Sequence, residues 1–170
     1  MTRLGVVGIL ILHFSLLILP AFGQVITTVA GGQWVFRGDG GRATGASVGE
    51  IGALAVDSAG NVFVADFGNN LVFKISPSGV LTVVAGNGLF GLSGDGGAAT
   101  AAALNIPAGV AVDSSGNLYI SDQANQRIRK VAANGIITTL VGSGPTGAFE
   151  GGFSGDGGPA TSARLNWQDI

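Results

Sequence analysis

One string constrains this chain more than any other, because it is written twice at a fixed distance. Val56-Asp57-Ser58-Ala59-Gly60-Asn61-Val62-Phe63-Val64-Ala65-Asp66 returns 56 positions later as Val112-Asp113-Ser114-Ser115-Gly116-Asn117-Leu118-Tyr119-Ile120-Ser121-Asp122. A second marker, Gly-Asp-Gly-Gly, stands at 38–41, 94–97 and 155–158. A period of this length describes an array of one supersecondary unit. Each unit is too small to bury its own apolar face, so neighbours must stack to make a core.

Residues 1–23 read as a secretory signal peptide outside the repeats. Arg3 gives a positive start, Leu4 to Leu19 is almost wholly apolar, Pro20 interrupts, and Ala21-Phe22-Gly23 places small residues where a signal peptidase reads. Cleavage is expected before Gln24. The alternative is a retained membrane anchor, but the apolar run is shorter than the ~20 residues a spanning helix needs. The chain is accordingly expected to be secreted or periplasmic, with no membrane span once the signal is cleaved.

Removing that segment leaves 147 residues, the size of one ordinary domain. It also removes His13, the only histidine, and there is no cysteine. A zinc site of nitrogen and sulfur ligands, a Ser-His or Cys-His nucleophile pair and a disulfide are therefore all excluded from the mature chain. Loss of Arg3 leaves seven basic against ten acidic residues, with no block of either sign. Nucleic-acid binding needs a basic stripe. The nearest approach to one, Arg127, Arg129 and Lys130, reads as solvated strand residues, so no nucleic-acid partner is expected.

Three kinds of segment recur. β-Branched runs end at a glycine in 25–31, 81–86 and 136–142, a composition that favours strand. The glycine-rich stretch follows, and behind it Thr44, Thr100 and Thr161 are placed to cap a single helical turn in an alanine-rich piece. Then comes a meander, most clearly 109–112, 117–121 and 127–131. Asp113-Ser114-Ser115-Gly116 and its counterpart Asp57–Gly60 suit type I turns, and Asp66 and Asp122 suit Asx-type turns.

Each unit thus supplies four short antiparallel strands and a glycine-rich insert, the content of one β-propeller blade. The chain is predicted to be all-β, with units at about 26–80, 81–136 and a truncated 137–170. That is about two and a half blades of an incomplete ring, where propellers typically carry about four to eight. The shortfall reads as a piece of a longer gene product; the alternative is that copies self-associate through open blade edges.

The string Ala111–Asp122, with Asn125-Gln126-Arg127-Ile128-Arg129-Lys130-Val131, resembles the NHL repeat. Val84-Ala85-Gly86 and Ser93-Gly94-Asp95-Gly96-Gly97 through Leu104-Asn105 are similar to exported bacterial NHL-repeat proteins and to the NHL region of teneurins. The first unit departs from the pattern at Leu71-Val72-Phe73 and at Val48-Gly49-Glu50-Ile51, where less regular packing is expected. The resemblance implies a rigid platform for protein, RNA or glycan partners. Some related propellers are metal-assisted hydrolases or lyases, whose ligands would here lie outside the chain. The fold alone does not choose between these. The reading adopted is an exported, non-catalytic binding or scaffold module with a protein or glycan partner and no cofactor.

Asp39, Asp95 and Asp156, one in each glycine loop, are the candidates for a metal. Calcium asks for about six to eight oxygens, and each loop brings one carboxylate, so a turn-forming duty is the simpler reading. Asp57, Asp66, Asp113 and Asp122 are assigned to structural turns because they repeat at one place in each unit. Glu50 and Glu150 stand alone. Trp34, Phe36, Phe67, Phe73, Phe90 and Phe153 are expected to pack in the core or anchor loops, with a sugar- or peptide-stacking face as the alternative.

Overall fold

The structure, a computed structural model, describes residues 36, 38–144 and 152–166. Residues 1–23, the β-branched run 25–31, Trp34 and Glu150 lie outside the described residues. Among the described residues, eight strands form two four-stranded antiparallel sheets in sequential order. The first contains β1 (Ile51–Val56), β2 (Val62–Asp66), β3 (Leu71–Ile75) and β4 (Leu81–Ala85). The second contains β5 (Pro107–Val112), β6 (Leu118–Asp122), β7 (Arg127–Val131) and β8 (Ile137–Val141). These are two propeller blades, and they do not close a ring. Each blade ends on the β-branched run that opens the text of the next repeat.

The two sheets match in register. Val64 faces Phe73 as Ile120 faces Arg129, and bulges fall at equivalent places, between Ile51 and Ala53 and between Pro107 and Gly109. The backbone ladder of the first unit is as regular as that of the second, and the different packing expected at 71–73 is found in its side chains. Backbone pairing sets the ladder, and the divergent side chains at 71–73 change only what fills the space beside it.

Side-chain alternation gives each sheet two faces. The face of the first sheet with Ala55, Phe63, Val72 and Val84 packs on the face of the second with Val110, Val112, Leu118 and Ile120. Ala99, Ala102 and Leu104 of the second glycine loop close this shared core. The opposite face of the first sheet, with Val64, Phe73 and Leu81, packs against Phe36, Ala43 and Ala46 of the first loop. Neither sheet could bury its apolar residues alone, which is what a repeat of this length requires. A fully buried phenylalanine such as Phe73 contributes about 2–3 kcal/mol by burial.

Each alanine-rich piece makes one 3-10 turn: Ala43–Gly45, Ala99–Ala101 and Ala160–Ser162. The threonine does not cap it. Thr44, Thr100 and Thr161 are second within the turn, and the preceding residues Arg42, Ala98 and Pro159 make no side-chain cap. Three-residue turns leave few orphan amides to satisfy, so a capping hydroxyl has little to do. Among the described residues no helix is long and apolar enough to cross a membrane.

Candidate functional site

The glycine loops lie along the outer strands of their own blades. In the first, Gly40 N–H donates to the Leu81 carbonyl and Leu81 N–H to the Gly41 carbonyl, both at 2.9 Å. The Asp39 carboxylate then accepts the Val83 N–H at 2.7 Å. In the second, Gly96 N–H donates to Ile137 at 2.8 Å and Ile137 N–H to Gly97 at 3.0 Å, while Thr139 on the same strand helps hold the Asp95 carboxyl below its usual range. Positive φ at Gly40 and Gly96, +75° and +81°, makes this reversal possible. The outward amides of Leu81 and Val83 in β4 and of Ile137 in β8 are thereby paired, which blunts these edges as templates for another strand.

Asp39, Asp95 and Asp156 therefore stand in separate loops, and Asp39 and Asp95 are each directed to the outer strand of their own blade. Asp156 is exposed in the third loop, which the Ser154–Arg164 bridge closes. Among the described residues no group of three or more histidine, cysteine or acidic side chains is arranged to hold a metal.

Asp57 and Asp113 sit in the β1–β2 and β5–β6 turns. Asp113 accepts the Ser115 and Asn117 N–H groups at 2.9 Å, Asn117 Nδ2 at 2.7 Å and the Tyr119 hydroxyl at 3.0 Å. The Asn117 side chain is the main reason its pKa falls to about 2, with the Asn117 N–H next and burial opposing. Asp57 binds Ala59 and Asn61 in the same way and is likewise lowered, chiefly by the Asn61 side chain.

Asp66 and Asp122 are fully buried at the ends of β2 and β6. Asp66 accepts the Gly49 N–H at 2.7 Å and the Asn69 N–H at 2.9 Å. Asp122 accepts the Asn105 N–H at 2.7 Å and Asn125 Nδ2 at 2.9 Å. Each thus ties the segment entering its blade to the β2–β3 or β6–β7 turn, a span of 17 residues. Burial pushes the Asp122 carboxyl up, opposed by its hydrogen bonds and by Arg129.

Arg129 overturns its sequence assignment. It was expected on a solvated strand surface with Arg127 and Lys130, which are half-buried, but Arg129 is fully buried. Its register partner is Ile120, an inward residue, and alternation carries Arg129 to the same face. There Nη1 reaches Asp122 at 3.1 Å, and Nη2 reaches Asp95 at 2.8 Å and the Ser93 carbonyl at 2.9 Å. For Asp95, burial works to raise the pKa, but Thr139 and Arg129 outweigh it and leave the carboxyl below the usual range. In the first blade Phe73 takes the place of Arg129 and stacks on Phe36, with ring centroids 4.5 Å apart. Phe36 and Leu92 each precede their loop aspartate by three residues. The paired exchange of Phe36 and Phe73 for Leu92 and Arg129 was the sequence signal for this network.

The remaining aromatics divide. Phe63 and Phe73 are core, while Phe90 and Phe153 are 72% and 78% exposed on the second and third loops. The Phe90 loop is braced. Asn87 Oδ1 accepts the Leu89 N–H at 2.9 Å, Gly91 N–H donates to Leu104 at 3.1 Å, and Asn125 Nδ2 donates to the Gly91 carbonyl at 2.7 Å.

Comparison with known proteins places these features. The profile of the Teneurin NHL domain family matches residues 77–167. Teneurin-4 of Mus musculus is 41% identical over 104 residues, covering 53% of this chain and 4% of that protein. Teneurin-1 of Gallus gallus is 39% identical over 74 residues, covering 44% of this chain and 3% of that protein. The chain thus spans a small fraction of the length of these relatives. Among solved structures, a Bacteroides thetaiotaomicron protein described as of unknown function superposes with a TM-score of 0.54 at 21% identity. That superposition covers 69% of this chain and 40% of the other, and at this identity the likeness concerns the fold alone.

Proposed function

Because the chain belongs to the Teneurin NHL domain family, we propose that it is an exported binding or scaffold module whose partner is a protein and which carries out no chemistry of its own. The observation that supports this most is the display of large apolar side chains on loops that are tied down. Phe90 and Leu89 project from a segment held on both sides by backbone bonds, and Phe153 projects from the next loop. An exposed aromatic on a pre-ordered loop loses little entropy when a partner covers it, which is the character of an interface anchor. The carboxylates favour the same reading, since Asp57, Asp66, Asp113 and Asp122 are spent on backbone amides of their own blades.

Self-association belongs to the same proposal, through sheet faces and not outer edges. Leu54 and Val56 are each 63% exposed on the first sheet, whereas their counterparts Val110 and Val112 pack between the sheets.

The test is a binding screen of the purified chain against a panel of extracellular protein domains, repeated with Phe90→Ser and Phe153→Ser. The expected result is a partner whose affinity drops at least about tenfold in one variant while circular dichroism is unchanged, the size of one interface anchor. Partners that bind both variants as tightly as the parent would overturn the role given to these loops. Export is tested separately by recovery of the chain outside the cytoplasm, and cleavage by its first residue: the recovered chain should begin at Gln24, and a start at Met1 would contradict cleavage.

A further inference from the structure

The second blade holds a cleft lined in part by charged and hydroxyl side chains where the first is packed with hydrocarbon. In the first blade, Phe36 stacks on Phe73 and Leu71 is buried beside them. A shift of one repeat replaces Leu71 and Phe73 with Arg127 and Arg129, and Leu92 takes the place of Phe36 before the loop aspartate. A cleft of about 590 Å³ opens there between the second and third glycine loops. Asp95, Arg127, Arg129, Thr139, Ser143 and Thr161 are among the residues that line it. The volume falls within the range of small-ligand sites, about 300–1,000 Å³.

The groups facing this cleft are ordered from beneath. Arg129 is fully buried and fixed by Asp122 and Asp95, so its charge is already balanced inside the blade. Its Nη2 bond orients Asp95, whose side chain remains 51% exposed. Arg127 is held by an Nη1 bond to the Asn125 carbonyl at 2.6 Å, and its guanidinium has further N–H groups to offer. The accessible lining therefore pairs one carboxylate, an acceptor, with one guanidinium, a donor, among the hydroxyls of Thr139, Ser143 and Thr161.

That balance selects the ligand. A free anion gains from Arg127 but meets Asp95, and a cation meets the reverse. A sugar hydroxyl both donates and accepts, so adjacent hydroxyls satisfy a carboxylate and a guanidinium together with no net charge to neutralise. We propose that this cleft is a binding site for a neutral saccharide unit, with Asp95 and Arg127 as its polar anchors. Phe90 and Phe153 are not among the residues that line it, and the proposal does not depend on their having a protein partner.

The test uses the whole chain in an amide ¹⁵N–¹H titration with glucose, galactose, N-acetylglucosamine and maltose, and with acetate and ethylammonium as charged controls. At least one sugar is expected to shift the amides of Asp95, Arg127, Thr139 and Ser143 saturably, with neither ion doing so. Arg127→Leu copies the residue that the first blade carries at this position, so the fold already accommodates it. It should weaken the sugar at least about tenfold, the loss of one charged hydrogen bond, with an unchanged spectrum elsewhere. Asp95→Asn, which keeps the shape, should weaken it as well. Shifts from acetate that exceed those from every sugar, no saturable shift from any sugar, or equal sugar affinity in Arg127→Leu would each overturn the proposal.

Discussion

Asp39 and Val83 are 44 residues apart, yet the carboxylate of one accepts the backbone N–H of the other at 2.7 Å. That single bond shows what the Gly-Asp-Gly-Gly marker does. Its glycines let the chain double back beside the outer strand, and its aspartate takes an amide that would otherwise face solvent or another chain. The marker recurs because each blade has such an edge.

Replacement of Asp39 by alanine should therefore loosen β4 without unfolding the blade. The expected loss is about 1 kcal/mol, below the roughly 1.5–3 kcal/mol of a buried hydrogen bond to a charged group because the site is exposed. Hydrogen exchange at the Val83 amide reports it directly. Exchange there should accelerate while Val72, on the inner side of the ladder, stays protected; equal protection of Val83 in both proteins would dismiss the clip.

Arg129 makes a larger prediction. Arg129→Met leaves Asp122 buried without its cation, a change that costs about 3–5 kcal/mol. Urea unfolding measures this. Adding Asp122→Asn to Arg129→Met removes the stranded charge and should recover much of the loss. Unchanged stability in the single variant would mean that the network is incidental.

Gly52 tests how closely the blades approach. A Cβ at this position would run into the Ala108 carbonyl oxygen, on the neighbouring blade. Gly52→Ala must push β1 away from β5, at about 1–3 kcal/mol for an overpacked contact. Thermal unfolding should show a clear fall in midpoint, whereas Gly79→Ser, at a position with open space around it, serves as the control for backbone strain alone because its φ is +79°.

Acid should weaken the fold in a defined window. Asp57, Asp95 and Asp113 titrate below the ordinary value of 3.8 when folded. Each contributes stability that is complete above that value and lost as pH falls through the folded-state pKa, about 2 for Asp113. Asp122 runs the other way. Its raised pKa favours the protonated carboxyl, so its contribution declines as pH rises through the folded value. The urea midpoint should drop between about pH 4 and pH 2, and Asp113→Asn should flatten the drop. An identical slope in the variant would remove Asp113 from the account.

The strands were legible because period-two alternation and turn residues are local properties. Leu81–Ala85 and Arg127–Val131 could be placed from composition and spacing alone. The pairing of Asp39 with Val83 was not legible, since nothing near Asp39 in the chain marks its partner 44 residues away. Arg129 was misplaced for a related reason. A charged residue in a strand reads as solvent-facing until the register with Ile120 shows which face it shares. The threonines misled through a helix rule applied to turns of three residues.

The account rests on two sheets stacked face to face over one core, and methyl and aromatic cross-relaxation by nuclear magnetic resonance reads that contact directly. Phe63 and Val84 of the first sheet should show cross-peaks to Leu118 and Val131 of the second, with which they line one side of the junction. Cross-peaks confined within each sheet, with none joining these four side chains, would contradict it.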